Sequence, residues 1–252
     1  MNKYMLKIGW LYPQLMNTYG DRGNIIVLTR RCEWRDIAVE VQYLNEGFAV
    51  KDLKACDLLF MGGAQDKQQQ IVAKDLNKEK VKALSEMIED ETPGLYICGA
   101  YQFLGKYYKE ADGTIINGLG IFDLYTENPG TDLKRLIGNI AVDFLDEKKY
   151  TRTLVGFENH GGRTYLGKDI KPLARVITGF GNNGTDKTEG AIYKNSFGSY
   201  MHGPVLPKNP FLADLLIQKA LEKKLGEKEE LKKLDDTIEK QAHEFIMKKI
   251  MK

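Results

Sequence analysis

Cys98 stands in Gly94-Leu95-Tyr96-Ile97-Cys98-Gly99-Ala100-Tyr101-Gln102, between an apolar run that reads as a buried strand and a segment that reads as a short helix. A cysteine at a strand-to-helix corner, followed by two small residues, is where an α/β enzyme holds a nucleophile. The tight turn exposes the side chain at the carboxyl end of the sheet, and the amides just beyond it can stabilise a thiolate and later an oxyanion. The competing reading is a small buried core residue, the usual fate of a free cysteine after an apolar strand. Histidine supply bears on the choice, because only His160, His202 and His243 are available. His243 lies in a Lys/Glu-rich run and reads as solvated. His202 closes the strand-like Phe197-Gly198-Ser199-Tyr200-Met201-His202 against Gly203-Pro204, on the same topological edge as Cys98. Such a pair would meet in the fold and not in the sequence; a loop histidine bonded to backbone is the alternative. Gly62-Gly63 follows the strand-like Asp57–Met61 and offers backbone N–H groups that no side chain obstructs. The amides of Gly63 and Gly99 would together make a two-donor oxyanion hole, the plain alternative being a tight turn.

These residues need a sheet to carry them. Leu6–Tyr12, Val39–Leu44, Asp57–Met61 and Gly94–Cys98 read as strands. Asp21 reads as the cap of a helix running to about Asp36, and a second helix spans about Lys67 to Glu89. This alternation predicts an α/β fold, a mainly parallel sheet flanked by helices on both faces. From Gly113 to Gly203 the texture changes to short strand-like segments with glycine turns: Thr114–Glu127, Arg135–Phe144, Thr153–Glu158 and Ala191–Tyr200. They read as the sheet's edge plus an antiparallel extension. Phe211, Leu212, Leu215, Leu216, Ala220 and Leu221 give one helical face. Leu231, Leu234, Ile238, Phe245 and Ile250 then mark an amphipathic helix at about 226–252, lying on its own domain or docking a partner. No repeat or linker is evident, so a single domain over 1–252 is expected.

Composition excludes several classes. At 252 residues the chain has ample length for one core, and 42% hydrophobic with 29% charged residues is an ordinary soluble mix. A formal charge of +2 gives no global field for nucleic acid or anionic lipid. No membrane span or signal-peptide core is legible, so a cytoplasmic protein is expected. Cys32 and Cys56 have no partners at metal-ligand spacing and read as packing residues, so no metal is expected.

Three motifs in order carry a resemblance: Ile97-Cys98-Gly99-Ala100-Tyr101-Gln102-Phe103-Leu104-Gly105, then Gly156-Phe157-Glu158-Asn159-His160-Gly161-Gly162-Arg163-Thr164, then Tyr200-Met201-His202-Gly203-Pro204. The set resembles class I glutamine amidotransferases, most nearly the cobyric acid synthase-like subgroup, and within it the family of glutaminase subunits of lipid II isoglutaminyl synthases. Asn17-Thr18-Tyr19-Gly20-Asp21-Arg22-Gly23-Asn24-Ile25, Gly179-Phe180-Gly181-Asn182-Asn183 and His202–Asn209 extend it over roughly residues 5 to 225. The resemblance implies glutamine amide hydrolysis with Cys98 as nucleophile and His202 as base. It also implies that Arg135 takes the substrate carboxylate, and that Gln102, Glu158 and His160 shape the substrate pocket.

Two departures stand out. Many class I glutaminases carry His-Pro-Glu, whereas Gly203-Pro204-Val205 offers no acid. The pair would then work as a dyad, or Glu158 would assist, or a partner would supply the carboxylate. Tyr96 and Ala100 also stand where many relatives have glycine. The chain has no Gly-x-x-x-x-Gly-Lys-Ser/Thr loop for ATP. By resemblance, then, no cofactor is expected here, with ATP and magnesium on a Mur-ligase-like synthetase subunit of the MurT type. That partner would amidate the D-glutamate α-carboxyl of lipid II and bring this chain to the membrane surface only through its lipid-linked substrate. Another acceptor, such as a corrinoid-type carboxylate, and a non-catalytic stabilising subunit remain open alternatives from the residues alone.

Overall fold

A computed structural model of the chain describes residues 4–130, 133–145, 152–228 and 230–251. The first half alternates β1 (Tyr4–Leu11), α1 (Arg22–Glu33), β2 (Ile37–Leu44), α2 (Val50–Lys54), β3 (Leu58–Met61), α3 (Asp66–Asp75), α4 (Lys78–Glu89), β4 (Gly94–Ile97) and α5 (Gly99–Leu104). Strands dominate the next stretch: β5 (Tyr107–Lys109), β6 (Ile115–Asn117), β7 (Leu124–Glu127), β8 (Leu136–Phe144), β9 (Arg152–His160), β10 (Arg163–Leu166), β11 (Ala174–Thr178), β12 (Thr188–Glu189), β13 (Ala191–Tyr193) and β14 (Ser196–Ser199). Helices α6 (Pro210–Leu225) and α7 (Thr237–Ile250) complete the order.

The main sheet has the order β13-β14-β4-β3-β1-β2, parallel throughout except for the antiparallel edge strand β13. Its central strands β3 and β4 are buried at every position, as a strand covered on both faces must be. In register, Phe60, Leu95 and Phe197 form a buried row across three strands. Each such side chain contributes about 1.5–3 kcal/mol on leaving water. The register also explains how residues 98 and 202 meet. Strand β14 pairs directly with β4, Ile97 opposite Ser199, and the Cys98 N–H donates to the Ser199 carbonyl at 2.8 Å.

The antiparallel extension is larger than its sequence texture predicts. Strands β13 and β14 form the edge of the main sheet, as expected, and the rest builds two further four-stranded sheets, β10-β7-β5-β6 and β12-β11-β8-β9, antiparallel except for the β5–β7 pair. The helix expected over Lys67–Glu89 is two helices, because Asn77 breaks it: its Oδ1 accepts from the amides of Glu79 and Lys80 and starts α4 afresh. At the C-terminus, Gly226 ends α6 with φ 73°, and α7 begins only at Thr237. Leu231 and Leu234 therefore precede that helix, and Glu229 and Lys252 lie outside the described residues. His243 is not simply solvated. Its Nε2 meets Thr153 Oγ1 at 2.8 Å and its Nδ1 donates to the Lys208 carbonyl at 2.9 Å, fastening α7 to the body of its own chain.

Candidate active site

Strands β3, β4 and β14 are neighbours, so the turns that leave their carboxyl ends converge along one edge of the sheet. Cys98 comes directly after β4 with φ 51° and ψ −105°, a conformation that non-glycine residues adopt only when their surroundings impose it. Burial of Tyr96 and Ala100 around it shows that the larger side chains at these two positions still permit the elbow. Cys32 and Cys56 are buried free thiols, and burial pushes both up to about 12. Cys98 is half-buried where the other two cysteines are buried, and it lines an open cleft.

His202 is fully buried and locked to β9 by reciprocal backbone hydrogen bonds with Phe157. Its Nδ1 donates to Asp21 Oδ1 at 3.2 Å, which fixes the tautomer and turns Nε2 to other use. Nε2 has no partner at full hydrogen-bond geometry. The Cys98 thiol is its looser hydrogen-bonding and charge neighbour. Burial works to depress the imidazole pKa, but Cys98 and Asp21 outweigh it and hold His202 well above the ordinary imidazole value.

Gly63 sits between the two groups. A Cβ there would stand 2.8 Å from His202 Cε1 and 3.3 Å from Cys98 Cβ, so only glycine leaves room. Its amide, however, donates to Asp21 Oδ2 at 2.7 Å and is not free for an oxyanion. This corrects the expected pairing of Gly63 with Gly99. The next amide, that of Ala64, lies 3.0 Å from where a Gly99 Cβ would be. Among the described residues neither the Gly99 nor the Ala64 N–H donates elsewhere. Gly99 and Ala64 are therefore the two neighbouring amides left without an acceptor beside Cys98 among the described residues. Gly63 serves to orient the carboxylate that orients the histidine.

Asp21 is the residue that the sequence pattern misplaces. It precedes α1, yet its side chain caps nothing there; Asn17 Oδ1 takes the Arg22 amide instead. The remainder of that motif builds the same wall. Asn24 Oδ1 accepts the Leu206 amide at 3.0 Å, and Gly23 lets Pro204 approach so closely that a Cβ would meet its Cγ at 2.4 Å. Tyr19, with φ 56°, lays its ring edge on His202 at 5.0 Å. Glu189, likewise unforeseen, is fully buried behind β14 and accepts from Ser199 Oγ at 2.7 Å and the Tyr200 amide at 2.8 Å. Burial raises its carboxyl to about 7 against the pull of those bonds.

Cys98, Gln102, Arg135 and His160 all line one cleft of about 590 Å³, with Tyr19, Ala64, Asp66 and Asn159 on its other walls. Gln102 is held by both ends of its amide, Nε2 donating to Tyr200 at 3.0 Å and Oε1 accepting from Gln69 at 3.3 Å. Arg135 lies at the mouth, its Nε and Nη2 each 3.0 Å from Asn159 acceptors. Glu158 does not assist His202. Its two oxygens accept the Phe180 and Gly181 amides at 2.7 and 2.9 Å and pin that turn. His160 donates from Nδ1 to the Gly162 carbonyl and stacks on Tyr200 with centroids 3.7 Å apart. Burial, outweighing nearby Glu158, lowers its pKa and keeps the ring neutral at pH 7. Among the described residues no cluster of three or more His, Cys, Asp or Glu is placed to hold a metal, and no helix is long and apolar enough to cross a membrane.

Residues 7–210 match the profile of a CobB/CobQ-like glutamine amidotransferase domain. The chain is 47% identical, over 92% of its length and 90% of the relative's, to the lipid II isoglutaminyl synthase (glutamine-hydrolyzing) subunit GatD of Staphylococcus aureus strain N315. It is 42% identical, over 96% of its length and 90% of the relative's, to the protein of that name from Streptococcus pneumoniae. A solved glutamine amidotransferase structure superposes with TM-score 0.57 at 13% identity, over 84% of this chain and 98% of that one, and shares the fold.

Proposed function

The chain belongs to the CobB/CobQ-like glutamine amidotransferase family, and from that membership we propose that it is the glutamine-hydrolysing subunit of a lipid II isoglutaminyl synthase. The observation that carries the chemistry is the buried Asp21–His202 pair abutting Cys98 at the edge of the parallel sheet.

An amide is a poor electrophile and ammonia a poor leaving group, so the site must supply a nucleophile, oxyanion donors and a proton. Cys98, as thiolate beside the His202 imidazolium, attacks the side-chain carbonyl carbon of glutamine. The N–H groups of Gly99 and Ala64 face the tetrahedral oxygen; one such donor is worth about 3 kcal/mol in the transition state. His202 Nε2 gives its proton to the departing nitrogen, the C–N bond breaks, and a glutamyl thioester remains on Cys98. The neutral imidazole then takes a proton from water, which attacks the thioester and releases glutamate. Asp21 keeps Nδ1 protonated throughout and stabilises the imidazolium. Arg135 offers a guanidinium to the α-carboxylate at the cleft mouth.

Ammonia so released is useful only to an acceptor. The 47% and 42% identical relatives carry names that state a synthase and a subunit. A separate, Mur-ligase-like partner with ATP and magnesium would activate the D-glutamate α-carboxyl of lipid II, and membrane contact would come through that substrate. With the partner present, Cys98→Ala should lower glutamine hydrolysis at least about 10⁴-fold, and a glutamine-mimicking electrophile should add mass to the wild-type chain alone. Unchanged hydrolysis by the variant would overturn the assignment.

A further inference from the structure

Asn159 has one carboxamide and uses both ends of it. Its Oδ1 accepts from Arg135 Nε at 3.0 Å, its backbone carbonyl accepts from Arg135 Nη2 at 3.0 Å, and its Nδ2 donates to the Tyr19 hydroxyl at 2.7 Å. A guanidinium can only donate, so the amide oxygen must face Arg135 and the amide nitrogen must face Tyr19. The phenol oxygen is thereby the acceptor in that bond, and its own proton points away from Asn159. On the other side of the amide, Nε and Nη2 are engaged, and among the described residues Nη1 is the guanidinium nitrogen left to meet a ligand. Tyr19 and Arg135 line the same cleft as Cys98. Flanking a single amide, the two groups bracket the same stretch of cleft wall, where one ligand carboxylate can approach both. Tyr19 is held there in a left-handed backbone conformation, φ 56°, that an aromatic residue adopts only under constraint.

Resting on the glutaminase reading, we infer that the α-carboxylate of glutamine is bound by two donors, Arg135 Nη1 and the Tyr19 O–H, and that Asn159 is the positioning residue that aims both. A guanidinium alone recognises any carboxylate along a broad arc. A second donor fixed relative to it selects one orientation, and that orientation sets the distance from the α-carbon to Cys98. The same arrangement ties substrate recognition to the imidazole, since the ring carrying the hydroxyl also covers His202.

The test is steady-state glutaminase kinetics of the chain together with its synthetase subunit. Two substrates are compared: glutamine, and 4-aminobutanamide, which keeps the scissile amide and lacks the α-carboxylate. Tyr19→Phe preserves the ring over His202 and removes only the hydroxyl. It should raise KM for glutamine roughly five- to tenfold with kcat held within about twofold, and leave turnover of 4-aminobutanamide as in the wild type. Asn159→Asp should raise KM for glutamine further, because its carboxylate both draws the Tyr19 proton and competes for Arg135. An unaltered KM in Tyr19→Phe, or equal loss on both substrates, would overturn the two-donor site. A wild-type complex that cannot hydrolyse glutamine would instead overturn the glutaminase reading beneath it.

Discussion

Asp21 divides its carboxylate between an imidazole and an amide, and that division fixes the orientation of the His202 ring. One oxygen holds Nδ1; the other holds Gly63, so the carboxylate cannot swing away. Asp21→Asn would keep the Gly63 bond through its carbonyl oxygen and turn an amino group toward Nδ1. The ring would then favour the tautomer with its proton on Nε2 and its lone pair wasted on the wrong side. Glutamine hydrolysis should fall about 10²-fold or more in kcat. The pH profile supplies a separate check. His202 is raised in the wild type with Asp21 as one cause, so removing that charge lowers the imidazolium pKa. The alkaline limb of kcat/KM should move to lower pH, and a limb left in place would show that Asp21 does not govern the base. A change confined to protein yield would not produce such a shift.

At the level of elements, the site is an agreement between three strand ends and one helix start. Strand pairing alone places Cys98, His202 and the Gly62-Gly63 turn together, but the orienting carboxylate arrives from the segment ahead of α1. That segment is docked on the His202 loop by Gly23 against Pro204 and by Asn24 on the Leu206 amide. Gly23→Ala would drive a methyl group into the proline ring at 2.4 Å, where backbone-bound neighbours on both sides leave little room to yield. The expected cost is about 1–3 kcal/mol of stability. Because the displaced loop carries His202, kcat should fall by about tenfold as well, which chemical denaturation and kinetics on the same preparation can separate. Much at this level is legible in the sequence. The strands β1, β2, β3 and β4 coincide with apolar runs, and Cys98 and His202 both fall at run ends. Asn77 as a helix breaker is not legible, since the apolar periodicity of α3 and α4 continues across it.

Across the whole molecule, a buried ionic cluster joins the two ends of the chain. Arg31, 1% exposed on α1, makes a two-pronged bond to Asp214 on α6 at 2.7 and 2.8 Å and reaches Asp236 at 2.7 Å. Arg35 adds bonds to Asp214 and to the Lys232 carbonyl. This cluster and His243 bring the segment leading into α7 onto the body that also carries Asp21. Replacing Arg31 by alanine would leave Asp214 with Arg35 and Asp236 without its partner, so the loss should be about 2–4 kcal/mol in urea denaturation. Cleavage by limited proteolysis should rise around residues 226–236, which the change unfastens. Helix α7 keeps Ile238 and Phe245 exposed at 78% and 66%, so its packing against the chain does not cover every apolar position.

The sequence determined the parallel α/β plan, the strand-end elbow at Cys98 and the placement of His202 at the same sheet edge. These features obey local rules: apolar runs bury, glycine and proline end them, and parallel strands all release their loops at one side. Only the tertiary structure decided which carboxylate meets the imidazole and which amides remain unclaimed. Asp21 is distant in the chain, and a carboxylate ahead of a helix looks like a cap until another acceptor, Asn17, is seen to take that duty. Hydrogen-bond donors and acceptors are assigned by competition among all groups within reach, and that competition exists only after the chain has closed on itself.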